Sequence, residues 1–141
     1  MAELRDHPAR IEVAMIDRPV GPMPDEAVEG AGAVVCFRGV VRREESGRQL
    51  EGLVYTSYDP MAARELKRIA HRAAEQFGLL YVGITHSRGF VRIHETSLRL
   101  VVAAAHRKPA LSAMDTILDE LKRDVPIWKR PVWAENAEPI R

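Results

Sequence analysis

Residues 96–105 have the sequence TSLRLVVAAA, and this stretch decides which kind of fold the chain can adopt. It begins with alternating apolar residues at Leu98 and Leu100 and becomes continuously apolar from Val101 onward. A strand that is covered on both faces has this pattern, because neither face presents polar side chains to water. The stretch therefore predicts a central, buried strand.

A helix is predicted directly after this strand, and a short strand after the helix. Pro109 is expected to open the helix and Pro126 to end it. Its expected inner stripe consists of Leu111, Met114, Leu118, Leu121 and Val125. Residues 127–133 are predicted to form the last strand, and residues 134–141 a tail.

Before the central strand, the predicted strands are residues 10–16, 31–41, 50–58 and 79–91, the last interrupted at Gly89, with a short helix at residues 25–30. Residues 31–41 and 50–58 are expected to pair as a long hairpin. Asp59 is the expected N-cap of another helix, with Pro60 at its first position and Gly78 at its end. Its apolar stripe is Ala62, Leu66, Ile69, Ala70, Ala73 and Phe77. The pattern predicts a single α+β domain, mostly antiparallel, with two main helices.

The amino-acid composition and net charge of the chain argue against some classes of function. The chain has 141 residues, 46% of them apolar and 29% charged, with a net charge of +1. These values are typical of one globular domain, and the near-zero net charge argues against a strongly basic nucleic-acid binder. The chain lacks an apolar run long enough to span a membrane and an N-terminal signal pattern, so a soluble cytoplasmic protein is expected.

The single cysteine, Cys36, excludes an intrachain disulfide and a cysteine-based zinc site. Its apolar neighbours predict a small core residue. His86 and His94 have no partners at a metal-ligand spacing, and P-loop, dinucleotide-binding and nucleophile-elbow motifs are absent.

Three basic groups are the candidate functional residues: Arg42-Arg43, His106-Arg107-Lys108, and Lys122 with Lys129 and Arg130. The middle group joins a strand end to a helix start, where free N–H groups and the helix dipole favour anions. A solvated basic turn is the alternative interpretation. Lys122 either complements the helix dipole or is a proton-shuttling lysine whose pKa is lowered by nearby cations.

Four ordered pieces of the chain carry a family resemblance: GAVVCFRGVVR (32–42), YDPMA (58–62), AAHRKPA (104–110) and LKRDVPIWKR (121–130). Together they resemble the catalytic (large) subunits of molybdopterin synthase, over residues 32–133. The resemblance implies an α/β hammerhead-type fold. It also implies a sulfurtransferase that converts cyclic pyranopterin monophosphate into molybdopterin, without a cofactor or metal.

In this family the sulfur arrives as a C-terminal thiocarboxylate on a small ubiquitin-like subunit. The resemblance implies a heterotetramer, with a homodimer of the large subunit at its centre. Lys122 matches the principal catalytic lysine, and Lys129 matches the lysine after the tryptophan. Arg42, His106, Arg107 and Arg130 match the residues expected to hold substrate or tail, together with Lys122 and Lys129.

The chain departs from the family pattern at three places. Pro131 replaces a glutamate, Ser87 replaces the arginine of a His-Arg pair with Arg88 one place later, and His94 replaces a turn glycine. Because His tolerates a positive φ better than most residues, the turn at His94 is expected to survive.

Two other function classes compete with the enzyme. A non-enzymatic module could bind a ubiquitin-like tail or a phosphorylated ligand with the same basic groups. An RNA-binding domain would require exposed aromatics among the basic residues, and the chain has only eight aromatic residues, several at expected core positions.

Overall fold

The computed structural model describes residues 8–23 and 27–134. This part of the chain contains eight strands and two helices. The strands are β1 (Arg10–Ile16), β2 (Ala33–Val40), β3 (Glu44–Glu45), β4 (Arg48–Ser57), β5 (Tyr81–Ser87), β6 (Gly89–Arg92), β7 (Thr96–Ala104) and β8 (Ile127–Trp133). The helices are α1 (Met61–Phe77) and α2 (Arg107–Asp124). The predicted α+β class, with mostly antiparallel strands and two main helices, is confirmed.

The main sheet has the strand order β1-β5-β7-β2, and only its β1–β5 pair is parallel. The central position predicted for residues 96–105 is confirmed, since β7 pairs on both sides and is buried along nearly its whole length. Both helices pack on one face of this sheet and form the principal core with it.

A second sheet forms around β4, which pairs with β3, β6 and β8. The predicted long hairpin between residues 31–41 and 50–58 is therefore wrong. β2 pairs with β7 instead, because its alternate residues Ala33, Val35 and Phe37 pack into the helix-covered core. β4 packs around a separate small core containing Leu50 and Leu53.

Helix α1 ends at Gly78 as predicted, in the left-handed conformation with φ 66°. Its predicted stripe is also confirmed, with Phe77 at its partly buried margin. The predicted N-cap is wrong, because Pro60 takes that position and none of the side chains in the described part of the chain caps the helix. The carboxylate of Asp59 instead accepts hydrogen bonds from Ser57 (2.7 Å) and Arg88 (2.6 Å).

Helix α2 begins at Arg107, so Pro109 lies within its first turn and does not open it. The predicted inner position of Leu111 is wrong, because this residue is 53% exposed. The buried stripe starts one position earlier, at Ala110, and continues at helical spacing. It consists of Ala110, Ala113, Met114, Ile117 and Leu121.

Two further expectations are wrong. Cys36 is exposed, because residues of β2 alternate between the helix-covered face and the opposite, open face of the sheet, and Cys36 lies on the open one. The predicted short helix at residues 25–30 is absent from its described part, where Ala27–Gly30 ends in a turn. Positions 25 and 26, and the predicted tail after Ala134, lie outside the described residues.

Neither helix in the described part of the chain combines the length and the apolar character needed to cross a membrane.

Candidate functional site

A pocket of about 520 Å³ lies where the end of the main sheet meets the last turn of α2 and the second sheet. Two candidate residues from different elements line it, Lys122 of α2 and Lys129 of β8. The other lining residues are Phe37, Gly39, Val40, Tyr55, His86, Ser97, Leu98, Leu118, Leu121, Val125, Ile127 and Trp128. The pocket therefore combines apolar walls with two cationic groups.

Lys122 lies one position after the buried Leu121, so its side chain leaves the core and enters the pocket margin. Lys129 lies opposite Tyr55 in the β4–β8 pairing. The Nζ atom of Lys129 is 3.6 Å from Oε1 of Glu45, which belongs to the β3–β4 hairpin. This exposed pair leaves the ammonium group of Lys129 on the solvent side of the pocket.

Arg42 and Arg130 lie beside the pocket and are not among its lining residues. Arg42 follows β2 two residues after Val40 and is exposed, with Glu45 on the same hairpin segment. Arg130 is also exposed and pairs with Val54 of β4, one position along β8 from Lys129. Neither arginine therefore lines the pocket that contains the two lysines.

His106 and Arg107 lie at the opposite end of α2 from Lys122. Lys122 lies fifteen positions after Arg107 in the helix, which corresponds to about 22 Å along the axis. These two exposed residues line a separate shallow recess together with Gly32, Ala105, Lys108 and Pro109. Within residues 8–23 and 27–134 no side chain caps this helix start, so its first N–H groups are not used by a capping side chain there and could bind an anion. One chain therefore does not bring His106 and Arg107 to the two lysines.

The sequence pattern did not identify His86 as a pocket residue. It is buried, and its ring packs edge to face against Tyr55, with ring centroids 5.2 Å apart. Burial lowers the pKa of His86 below its usual range, opposed by a hydrogen bond with the Ser87 carbonyl. The family's His-Arg pair matches His86 and Ser87, but only the meeting of β4, β5 and α2 shows that this histidine lines the same pocket as the lysines.

The departures from the family pattern have structural explanations. Ser87 is buried and donates a hydrogen bond to the Arg18 carbonyl, while Arg88 forms ion pairs with Asp59 and Asp17. His94 adopts φ 69°, so the expected positive-φ turn is confirmed. Pro131 is accommodated because β8 pairs only with β4 among the described strands, and an edge strand tolerates the missing N–H.

A smaller cavity of about 190 Å³ lies on the open face of the main sheet and contains none of the predicted site residues. Among residues 8–23 and 27–134, no group of three or more His, Cys, Asp or Glu side chains is arranged to hold a metal ion.

Comparison with known proteins assigns the family. Residues 9–124 match the family model described as MoaE protein. The molybdopterin synthase catalytic subunit of Pyrococcus abyssi is 36% identical over 130 residues, covering 89% of this chain and 88% of that protein.

Solved structures agree with this match. The structure of molybdopterin synthase from Staphylococcus aureus has a TM-score of 0.76 and 30% identity, covering 88% of this chain and 93% of that one. A complex of subunits 1 and 2 of molybdopterin-converting factor from Helicobacter pylori shares the fold, with a TM-score of 0.69, 23% identity, and 88% and 90% coverage of the two chains. With the family model and the archaeal relative in agreement, the chain belongs to the family of molybdopterin synthase catalytic subunits.

Proposed function

We propose that this sulfurtransferase of molybdenum cofactor biosynthesis converts cyclic pyranopterin monophosphate into molybdopterin in the pocket between α2 and β8. The observation that carries the proposal is the convergence of Lys122 and Lys129, from separate elements, on one pocket. The substrate brings a cyclic phosphate and the sulfur donor brings a thiocarboxylate, so cationic groups are needed where the two meet.

The side chains divide the work between binding and proton transfer. Attack by the thiocarboxylate, opening of the phosphate ring and loss of water all require protons to move. Lys122 acts as the general acid or base, because its side chain enters the pocket from the end of α2. Lys129 holds the thiocarboxylate or the pterin, and Arg42 and Arg130 attract the anionic groups from the rim.

A small ubiquitin-like subunit supplies the sulfur, and no cofactor of this chain takes part. The complex of two subunits solved for the Helicobacter pylori protein supports an assembly of this kind. In this chain, Trp128 and Val40 line the pocket and are 60% and 41% exposed, giving the entrance an apolar surface against which a flexible tail can pack.

The expected cytoplasmic location stays a prediction.

The separation between the two ends of α2 supports a homodimer within the heterotetramer. Because His106 and Arg107 lie about 22 Å along the helix from Lys122, a single small substrate cannot contact both ends within one chain. A second copy that places its own α2 start near the first copy's lysines would complete the anion site. We expect the active pocket to be shared between two copies in this way.

A reconstitution assay tests the proposed function. The chain is mixed with cyclic pyranopterin monophosphate and with the partner carrying either a thiocarboxylate or a plain carboxylate at its C-terminus. Product containing a dithiolene should form only with the thiocarboxylated partner, because the carboxylate tail binds but has no sulfur to give. Binding of both tails without product from either would support the non-enzymatic binding module instead.

Cys36→Ser is the matched variant for this assay, since Cys36 is the only thiol of the chain. It lies on the open face of the main sheet, away from the helix-covered side. The variant should therefore form product like the parent. Loss of product in a folded Cys36→Ser protein would show that this chain carries sulfur itself.

A further inference from the structure

His86 occupies a part of the pocket that the lysine chemistry leaves unexplained. It lies near the end of β5, in register with Met15 and Leu98 of the neighbouring strands, and only 5% of the residue is exposed. It nevertheless lines the pocket that also contains Lys122 and Lys129. A buried imidazole that lines a pocket can use one ring nitrogen for a hydrogen bond within the protein and the other for a hydrogen bond to a ligand.

The hydrogen bond of His86 determines which edge is available. The Nδ1 atom lies 2.8 Å from the carbonyl oxygen of Ser87. A carbonyl oxygen only accepts, so Nδ1 carries the hydrogen, and in a neutral ring Nε2 is left with its lone pair. Tyr55 packs edge to face against the ring at an interplanar angle of 74°, which further restricts its rotation.

The Nε2 atom opens onto the pocket. Within residues 8–23 and 27–134, this atom forms no hydrogen bond. It is still accessible to solvent, because it is not one of the buried side-chain atoms that lack a partner there. Burial keeps the pKa of His86 below its usual range, so the ring is neutral and Nε2 is an acceptor at neutral pH.

An acceptor at this position complements the other polar groups of the pocket. Lys122 and Lys129 are donors only and match the anionic groups of a substrate. The Ser97 hydroxyl already donates to the Gly39 carbonyl. A pterin carries ring and amino N–H groups as well as acceptors, and the lysines cannot bind those N–H groups. Tyr55 can both donate and accept, whereas Nε2 of neutral His86 only accepts.

From this geometry we infer that His86 contacts the pterin, with Nε2 accepting a hydrogen bond from a ring or amino N–H group and so orienting the ring between the lysines. This role rests on the proposed function, because it takes the pocket to be the pterin site. It adds ring recognition to the phosphate and thiocarboxylate recognition already assigned to the basic residues.

Two substitutions separate the two edges of the imidazole. In His86→Asn the amide N–H can keep the bond to the Ser87 carbonyl, but the acceptor at Nε2 is lost. In His86→Gln the longer side chain can place its carbonyl oxygen near the position of Nε2. His71→Asn is the matched control, because His71 is exposed on α1 and lines none of the pocket.

Binding is measured by calorimetry on the full chain assembled with the carboxylate-tailed partner, which permits binding without turnover. The two ligands are cyclic pyranopterin monophosphate and a reduced pterin without the phosphate. His86→Asn should weaken both ligands by about three- to tenfold, the effect of losing one neutral hydrogen bond. His86→Gln should recover part of the loss, and His71→Asn should match the parent.

Three results would overturn the role of His86. The first is a His86→Asn variant that binds both ligands like the parent, and the second is a loss of affinity confined to the phosphate-bearing ligand. The third is a His86→Gln variant that binds as weakly as His86→Asn when both variants melt like the parent. If the parent assembly binds neither pterin, the proposed function fails and the role of His86 fails with it. If the parent binds and only the variant comparison fails, the function stands.

Nitrogen NMR of the parent protein provides a test that does not depend on the ligand affinity of any variant. The Nε2 resonance of His86, assigned by its absence in His86→Gln, should shift when pterin is added, while Nδ1 stays protonated. The His71 resonances should not move. An unchanged Nε2 resonance at saturating pterin would overturn the proposed contact.

Discussion

Lys122 is the residue on which the proposed chemistry depends most. Its neighbour Leu121 is buried, whereas Lys122 is exposed at the pocket margin, so removing the side chain costs little packing. Lys122→Ala should therefore change stability by no more than about 0.5 kcal/mol. Single-turnover product formation should fall by about 10²- to 10⁴-fold, the usual contribution of a general acid or base.

Lys67→Ala, an exposed lysine of α1, is the control for loss of a surface charge. It should retain both the melting temperature and the turnover of the parent. Near-normal turnover by Lys122→Ala would remove Lys122 from the mechanism and leave it as a cation that complements the dipole of α2.

At the scale of elements, Arg88 joins three parts of the chain that are distant in sequence. It lies between β5 and β6, and it pairs with Asp59 before α1 (2.6 Å) and with Asp17 after β1 (2.9 Å). The hydrogen bonds from the Ser57 hydroxyl and the Arg88 guanidinium hold the pKa of Asp59 below its usual range. The cluster thus fixes the entry of α1 against the main sheet.

A pH-dependent contribution to stability follows from this cluster. Because the folded-state pKa of Asp59 is lowered, its carboxylate stabilises the fold above the unfolded pKa of about 3.9 and loses this effect as the pH falls through the folded value. Asp59→Asn should lower the free energy of unfolding at pH 7 by about 0.2–1 kcal/mol, a modest value because the pair is partly solvent-screened.

Chemical denaturation from pH 7 to pH 2 checks this expectation. The difference between parent and Asp59→Asn should shrink as the pH falls below about 4. The control Asp115→Asn, at an exposed position of α2, should follow the parent at every pH. A constant difference across the whole range would show that the carboxylate charge of Asp59 does not stabilise the entry of α1.

At the scale of the whole molecule, the length of α2 distributes the anion-binding residues over two distant places. Arg107 and Lys122 lie at opposite ends of the helix. If two copies share each active pocket, inactive Arg107→Ala and Lys122→Ala chains should restore activity when they are mixed. One of the two pockets in the mixed dimer then receives an intact Arg107 from one chain and an intact Lys122 from the other.

The amount of activity recovered in the mixing experiment can be calculated. A one-to-one mixture that exchanges freely forms half of its dimers as mixed dimers, and each mixed dimer has one intact pocket. Activity should therefore rise to about a quarter of the parent value from the background of either variant, with dimer exchange checked by mass spectrometry. No recovery despite exchange would mean that each chain completes its own site.

The sequence by itself determined the features that depend on neighbouring residues. The stripe of α1, its glycine stop at Gly78, the positive φ of His94 and the buried character of β7 all follow from spacing or backbone preference over a few residues. The resemblance to the family rests on short ordered motifs and needs no knowledge of the fold.

Only the tertiary structure decided which distant segments meet. The residues of β2 fit a hairpin with β4 as well as a pairing with β7, and the packing of Phe37 against the helix-covered core selects the second. The same layering exposes Cys36 on the open face and brings His86 to the lysine pocket, although β5, α2 and β8 are far apart in the chain. Local preferences act over a few residues, whereas strand pairing and pocket formation depend on which faces of distant elements exclude water together.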